Sequence, residues 1–363
     1  MTGIIRVPYA ELLSFTSAVF GQLGVPDERA ATAATALCYG DLTGHTSHGL
    51  FNLSRLYLPL LREGRADPRA EPAVTHELGA CAVVDSQHAL GLWSAAEAMD
   101  AAVERAVRHG IGLVSMRAAT HIGCAGFHAL RAARRGLIGL VASNCGGQRI
   151  ARPPGGTVAM LGTNPLSIAA PALEHRPFVL DMSTTVAPTG KIRVAERHGE
   201  PIPPGWLVDA SGNPVTDPGA FDRGEGYLRW LGGDPETGAY KGFGLAMAVE
   251  LLAALLPGAA VGPDRAALAG NGRPHGRDDD IGLLLLAIAP ETLHEGFAGR
   301  ARAMFGALTE CPPVDPSAPV RYPGWWEGER AQTNLRTGVP LPAAVHAELV
   351  ALGLPKRAEA VTP

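Results

Sequence analysis

The chain is poor in lysine, in closely spaced cysteine and in long apolar runs, and each shortage removes a class of function. Among 363 residues only Lys191, Lys241 and Lys356 are lysines, so nearly all positive charge is arginine, and the formal net charge is -4. With no basic block, neither nucleic acid nor an anionic membrane has electrostatic support as a partner. A small-molecule substrate is expected. Cys38, Cys81, Cys124, Cys145 and Cys311 lie far apart without CxxC spacing. That excludes a disulfide framework and a structural zinc site, assigns no metal, and points to a reducing, cytoplasmic compartment. No uncharged apolar stretch approaches about 18 residues, and the opening MTGIIRVPYAELLSF lacks the charged start and apolar run of a signal peptide. Nothing is expected to enter a membrane.

What is present suits a globular α/β chain of about two domains, since 46% of residues are hydrophobic against 18% charged. Residues 9–40 read as two helices split by GVPDE, with a further helix over 49–63. Strands are expected at 80–86, 111–117 and 137–144, helices at 94–110 and from Phe127 to about Gly136. PLSIAAP and PFVLDMS read as two paired short strands, and 200–239 as a long surface excursion with little periodicity. LAMAVELLAALLPG, 245–258, is almost wholly apolar and is expected to be a buried helix. Residues 259–280 read as a mobile loop, IGLLLLAIAP as a buried strand, and EGFAGRARAMFGALTE and PLPAAVHAELVALG as closing helices.

The GxGxxG of a Rossmann dinucleotide site is missing. Two other segments place glycines where a helix begins. Gly123 and Gly126 in THIGCAGFHAL could turn backbone N–H groups toward an anion, and Gly242 and Gly244 in AYKGFGLAM could do so beside Lys241. Either is also an ordinary tight turn. The densest reactive chemistry is GDLTGHTSHGL, with Asp41, His45, Ser47 and His48. General acid–base work by a histidine oriented by Ser47 fits it. A metal pair of His45 and His48 lacks HExxH and an acidic third ligand, and a nucleophilic Ser47 lacks the GxSxG elbow. A helix cap by Asp41 or Thr43, leaving solvent-facing histidines, is the structural alternative. His121 ends a strand in a loop where α/β folds gather ligands, although a lone histidine is often structural. Asp181 and Ser183 end another strand, where the carboxylate could meet ribose hydroxyls or cap the next turn.

Taken together, GHTSHGL, ATHIGCAGFHAL, LGTNPLSIAAP, LDMSTTVAPTGKI, GAYKGFGLAMAVELL and RTGVPLPAAVHAEL resemble, in matching order, the blocks of the non-Rossmann malate/L-lactate dehydrogenase family. The resemblance covers nearly the whole chain. It implies a homodimer in which a mainly antiparallel sheet domain, 119–290, holds NAD or NADP, while 1–118 and 291–363 form a discontinuous helical domain for substrate and dimerisation. It further implies that His48 donates the proton, oriented by Ser47, and that His121 lies at the substrate, serving as a base in the ureidoglycolate branch. Asp181, Met182, Ser183, Lys241, Gly242, Pro323 and Gly324 would contact the cofactor, and Asn52, Thr120, Gly123 and Lys191 the substrate.

Several positions depart from the family pattern. Asn52 stands where an arginine usually grips the substrate carboxylate, Thr120 replaces an asparagine, Trp325 follows Pro323 and Gly324 in place of an acid, and Ala289 replaces an aspartate. Lys191 groups the chain with the hydroxy-acid dehydrogenases, whereas the cyclic imine reductases tend to carry aspartate there. The expected activity is therefore hydride transfer between nicotinamide and a small 2-oxo or 2-hydroxy acid. The alternatives are cyclic imine reduction, a binding paralogue without turnover, and a metal hydrolase. If Asn52 faces the substrate, Arg55, three residues on, is the remaining cation for a carboxylate, and simple oxo acids should be poor substrates.

Overall fold

The computed structural model describes residues 3–174, 176–270 and 273–357. Helices α1 (Tyr9–Gln22) and α2 (Asp27–Thr43) pack antiparallel after a short strand, β1 (Ile4–Val7), and the alanine-rich α2 is buried over most of its length. Small side chains let neighbouring helices approach it closely. A 3-10 turn (Thr46–His48) and a π-helical turn (Leu53–Tyr57) lead into α3 (Leu58–Arg62). The expected helix over 49–63 is thus present over 51–62, with a wider turn in the middle.

Among the described residues a seven-stranded sheet forms the centre. Its members are β2 (Ala73–Leu78), β3 (Cys81–Asp85), β4 (Ile111–Ala119), β5 (Ile138–Ser143), β6 (Leu166–Leu173), β7 (Arg176–Met182) and β11 (Ile281–Ile288). The order is β2-β3-β4-β11-β5-β6-β7, and only β3 and β4 run parallel. The antiparallel character implied by the resemblance is present, and the sheet draws strands from both sides of residue 118. Helices α4 (Gly91–His109) and α5 (Ala125–Arg134) cover one face and share the main core with α1 and α2. They sit close to the strands because a Cβ on Gly112 would come within 2.0 Å of the Ala102 carbonyl.

Helix α6 (Thr189–His198) precedes the 200–239 segment, which is more than a surface excursion. It holds α7 (Ala220–Arg223) and the small sheet of β8 (Leu207–Val208), β9 (Pro214–Val215) and β10 (Tyr227–Leu228). Ile202, Leu207, Phe221, Leu228 and Trp230 bury with Ile150, Leu161 and Ile192 in a separate apolar cluster. These residues are spaced singly among turn formers, so no periodicity betrays them. Helix α8 (Ala239–Val249), continued by a π-helical turn (Glu250–Leu255), lies on the other sheet face through Val249 and Ala253. Its expected complete burial does not hold, because Leu251, Leu252, Leu255 and Leu256 remain 43–59% exposed.

Residues 259–280 are pinned at their far end, where His275 bridges Arg149 and Arg65 pairs with Asp278 and Asp279. Asn271 and Gly272 of that loop lie outside the described residues. The chain closes with α9 (Pro290–Leu293), α10 (Phe297–Thr309), α11 (Trp325–Thr337), β12 (Val339–Pro342) and α12 (Ala343–Ala351). Strand β12 returns to pair antiparallel with β1. No described helix is long and apolar enough to cross a membrane.

Candidate active site

The reactive segment after α2 is held by its own glycines and one buried carboxylate. Asp41, 3% exposed, accepts the Leu50 N–H at 2.6 Å, and burial pushes its carboxyl up to about 7. Gly49 has to be glycine, since a Cβ there would fall 2.1 Å from Asp41 Oδ2. Asp41 therefore pins the turn that carries Ser47 and His48. The Ser47 hydroxyl lies 3.1 Å from His48 Nδ1, while His45 turns its Nδ1 to the Thr43 hydroxyl at 3.1 Å.

His48 and His121 face each other with ring centroids 6.0 Å apart and planes 18° from parallel. They line a cavity of about 370 Å³ together with Ser47, Gly123, Asp181, Met182, Ser183 and Lys191. Burial pushes His48 down to about 3, and the neighbouring rings of His121 and His45 and the cations Arg55 and Lys191 push the same way. Burial also lowers His121, to about 4, with Asp278 opposing and Arg55 reinforcing the shift. Both rings are neutral at pH 7. A second cavity of about 400 Å³, lined also by Trp206, His198, Glu327 and Arg330, shares His45, Ser47 and Lys191 with the first.

Of the two expected anion sites at helix starts, the one at Gly126 is filled from within. Its N–H donates to Asp181 Oδ2 at 2.7 Å, and burial raises that carboxyl. The other is exposed: Lys241 Nζ lies over the Tyr240 ring, 5.9 Å from its centroid, and lines neither cavity. Gly242 serves packing, as a Cβ would meet Leu231 N at 2.4 Å. It is the start of α6 that faces both cavities, with Pro188, Thr189, Gly190 and Lys191 in the wall of the first. The sequence marked Lys191 as scarce but did not mark it as the opening of a helix.

Four other expected site residues have structural employment. Asn52 is 1% exposed, donates to the Ser47 carbonyl at 2.7 Å and accepts from Arg55 Nε and Nη2 at 3.2 and 2.8 Å. Thr120 accepts the Gly91 N–H at 2.8 Å and so fastens the start of α4. Pro323 accepts the Val179 N–H at 3.0 Å and Gly324 packs against the same edge strand, β7. Trp325 stacks under Arg176 and Arg321 beside Tyr322 and Phe305. Residues that sequence reasoning passed over also shape the cavity. Tyr57 holds His121, and Asn144 lines the wall while accepting the Gly146 and Gly282 N–H groups at 3.0 and 2.8 Å. Asp278 completes the far side. An asparagine ending the 137–144 strand was the available signal, whereas Tyr57 is hidden in an apolar run.

The model of the malate/L-lactate dehydrogenase family matches residues 7–350. Malate dehydrogenase of Pyrococcus abyssi is 38% identical over 255 residues, 70% of this chain and 69% of that one. The (2R)-3-sulfolactate dehydrogenase (NADP(+)) of Chromohalobacter salexigens is 33% identical over 326 residues, 89% of this chain and 90% of that one. Among solved structures, malate dehydrogenase from Entamoeba histolytica superposes with a TM-score of 0.87 at 27% identity, covering 96% of this chain and 97% of the other.

Proposed function

The chain belongs to the malate/L-lactate dehydrogenase family of hydroxy-acid dehydrogenases and imine reductases, and we propose that it interconverts a small 2-hydroxy acid and its 2-oxo acid, with His48 exchanging the proton. The observation carrying this reading is the placing of His48 beside Lys191 and within reach of the Arg55 charge, both of which push its proton affinity down, in a cavity whose acids are Asp181, raised by burial, and Asp278, paired with Arg65. Such surroundings favour an anionic acid and disfavour the protonated iminium that imine reduction requires.

The residues present fit a nicotinamide dinucleotide. Two cavities meeting at Lys191 suit a ligand of two parts joined by a negatively charged bridge, and the start of α6 offers backbone N–H groups beside that lysine. Lys191, Gly190 and the Ser183 and Thr185 hydroxyl region would hold it. The dinucleotide supplies or accepts the hydride. The protein's part is position and one proton. Ser47 can donate to or accept from His48 Nδ1, so the ring can present either a lone pair or an N–H to the cavity. In the oxidising direction neutral His48 takes the hydroxyl proton. In the reducing direction a bound carboxylate offsets the cationic surroundings and raises the ring's proton affinity.

His48→Ala should lower kcat by about two to four orders of magnitude and leave dinucleotide affinity nearly unchanged. Retention of more than half the parent rate on a panel of 2-hydroxy acids removes His48 from the proton step. Faster turnover of cyclic imines than of any oxo acid overturns the substrate class.

A further inference from the structure

His121 enters the cavity with one ring nitrogen already engaged twice. Tyr57 Oη lies 2.7 Å from Nδ1, and the Gly123 N–H donates to the same nitrogen at 3.2 Å. A neutral imidazole has one N–H and one lone pair, and a nitrogen accepting a backbone N–H cannot carry the proton. Nδ1 is therefore the lone pair, the Tyr57 hydroxyl also donates to it, and Nε2 carries the hydrogen. We propose that the Gly123 N–H, supported by Tyr57 as a positioning residue, holds His121 in its Nε2–H form, so that His121 donates a hydrogen bond to a substrate oxygen and leaves proton exchange to His48.

This deepens the function proposed above and rests on it. Tyr57 is fully buried at the end of the π-helical turn and meets the His121 ring edge-on, 5.8 Å between centroids. The charged groups bearing on His121 are Asp278, itself paired with Arg65 at 2.8 Å, and Arg55, which push in opposite directions. Burial holds the phenol far above its ordinary range and the imidazole below it, so both stay neutral near pH 7. The two histidines differ in what their partners allow. His48 has one rotating hydroxyl at Nδ1 and can hold either tautomer. His121 has a fixed backbone donor at Nδ1 and cannot.

The first measurement needs no turnover. Nitrogen-15 spectra of the uncomplexed protein should show His121 Nδ1 unprotonated and Nε2 protonated near pH 7, and a protonated Nδ1 overturns the lock. Kinetics on the best 2-oxo acid then test its use. Tyr57→Phe should raise KM about fivefold, as loss of one supporting hydrogen bond does, with a smaller change in kcat and an unmoved pH profile. His121→Gln, whose amide nitrogen replaces the donor but has no basicity, should stay within about tenfold of the parent rate and exceed His121→Ala. If His121→Gln is as slow as His121→Ala, or removes a limb of the pH profile, His121 exchanges the proton and the proposal fails. If the spectra agree but the parent turns over no hydroxy or oxo acid, the tautomer lock stands and the proposed function falls.

Discussion

Replacing Asn52 with arginine would, on sequence alone, restore the carboxylate grip that relatives place there, whereas its surroundings lead to the opposite outcome. The side chain is 1% exposed and both ends of its amide are used, by the Ser47 carbonyl and by Arg55. Asn52→Arg removes a neutral hydrogen bond, about 1 kcal/mol, and the acceptor of a charged one, about another 1 kcal/mol because Arg55 is open to water. It also buries a second guanidinium without a carboxylate, at several kcal/mol. The total, about 4–6 kcal/mol, is a large part of the roughly 5–15 kcal/mol that ordinarily separates folded from unfolded chains. Urea unfolding followed by tryptophan fluorescence should register that loss, and kcat/KM toward pyruvate and oxaloacetate should not rise. A variant within 1 kcal/mol of the parent that gains activity on those acids would refute the reasoning, because the longer side chain would then have found a way into the cavity.

Acid should weaken the fold in a defined window. His48, His121 and the buried His128, whose Nε2 lies 2.9 Å from the Ile122 carbonyl, are lowered to about 3, 4 and 4, chiefly by burial, so each contributes stability above its ordinary 6.5 that is lost as pH falls through the folded value. Asp41, raised to about 7 by burial, works against them, its contribution being complete below 3.8 and lost as pH rises through 7. His346 is lowered by burial as well, and Asp181 and Glu250 are raised like Asp41, so four protons against three leave stability falling from pH 6.5 toward 4.5 by about 1 kcal/mol per pH unit, and a profile that rises there contradicts the burial of neutral rings. Gly49→Ala should cost about 3 kcal/mol or more through its clash with Asp41, and adding Asp41→Ser should recover part of it; equal stability of parent and Gly49→Ala would show that the turn can shift. Lys191→Ala should weaken dinucleotide binding about tenfold and more than Lys241→Ala does; titration by nucleotide fluorescence giving the reverse order would return the phosphate contact to Lys241.

Much of the site was legible because it lies where elements end. Ser47, His48, His121, Asp181 and Lys191 occupy a turn, two strand ends and a helix start, places that glycine and hydroxyl residues mark. Asn52 and Thr120 are each near a reactive histidine in sequence, but their side chains are engaged, Asn52 with Ser47 and Arg55 and Thr120 with Ala89 and Gly91. The π-helical turn at Leu53–Tyr57 is invisible in composition, and with it the meeting of Tyr57 and His121. The fold was read best where periodicity was strong, as in α4, or where an apolar run was unbroken, as in β11. Helix α11 was missed because WWEGERAQTNLRT has little apolar periodicity, with only Asn334 buried, donating to the Leu42 carbonyl at 2.9 Å. Strands β1 and β12 are four residues each, too short to show alternation against noise.

The pairing of β1 with β12 sets an order of events in the cell. Ile5 and Val7 are made early, and the residues that pair with them, Leu341 and Val339, are made more than three hundred positions later. At ordinary elongation speeds that interval is roughly 15 to 70 s, during which β1 lacks its partner strand. The central sheet can be nearly complete while the layer of helices against it still gapes. Closure of this body therefore waits until β12 has been made.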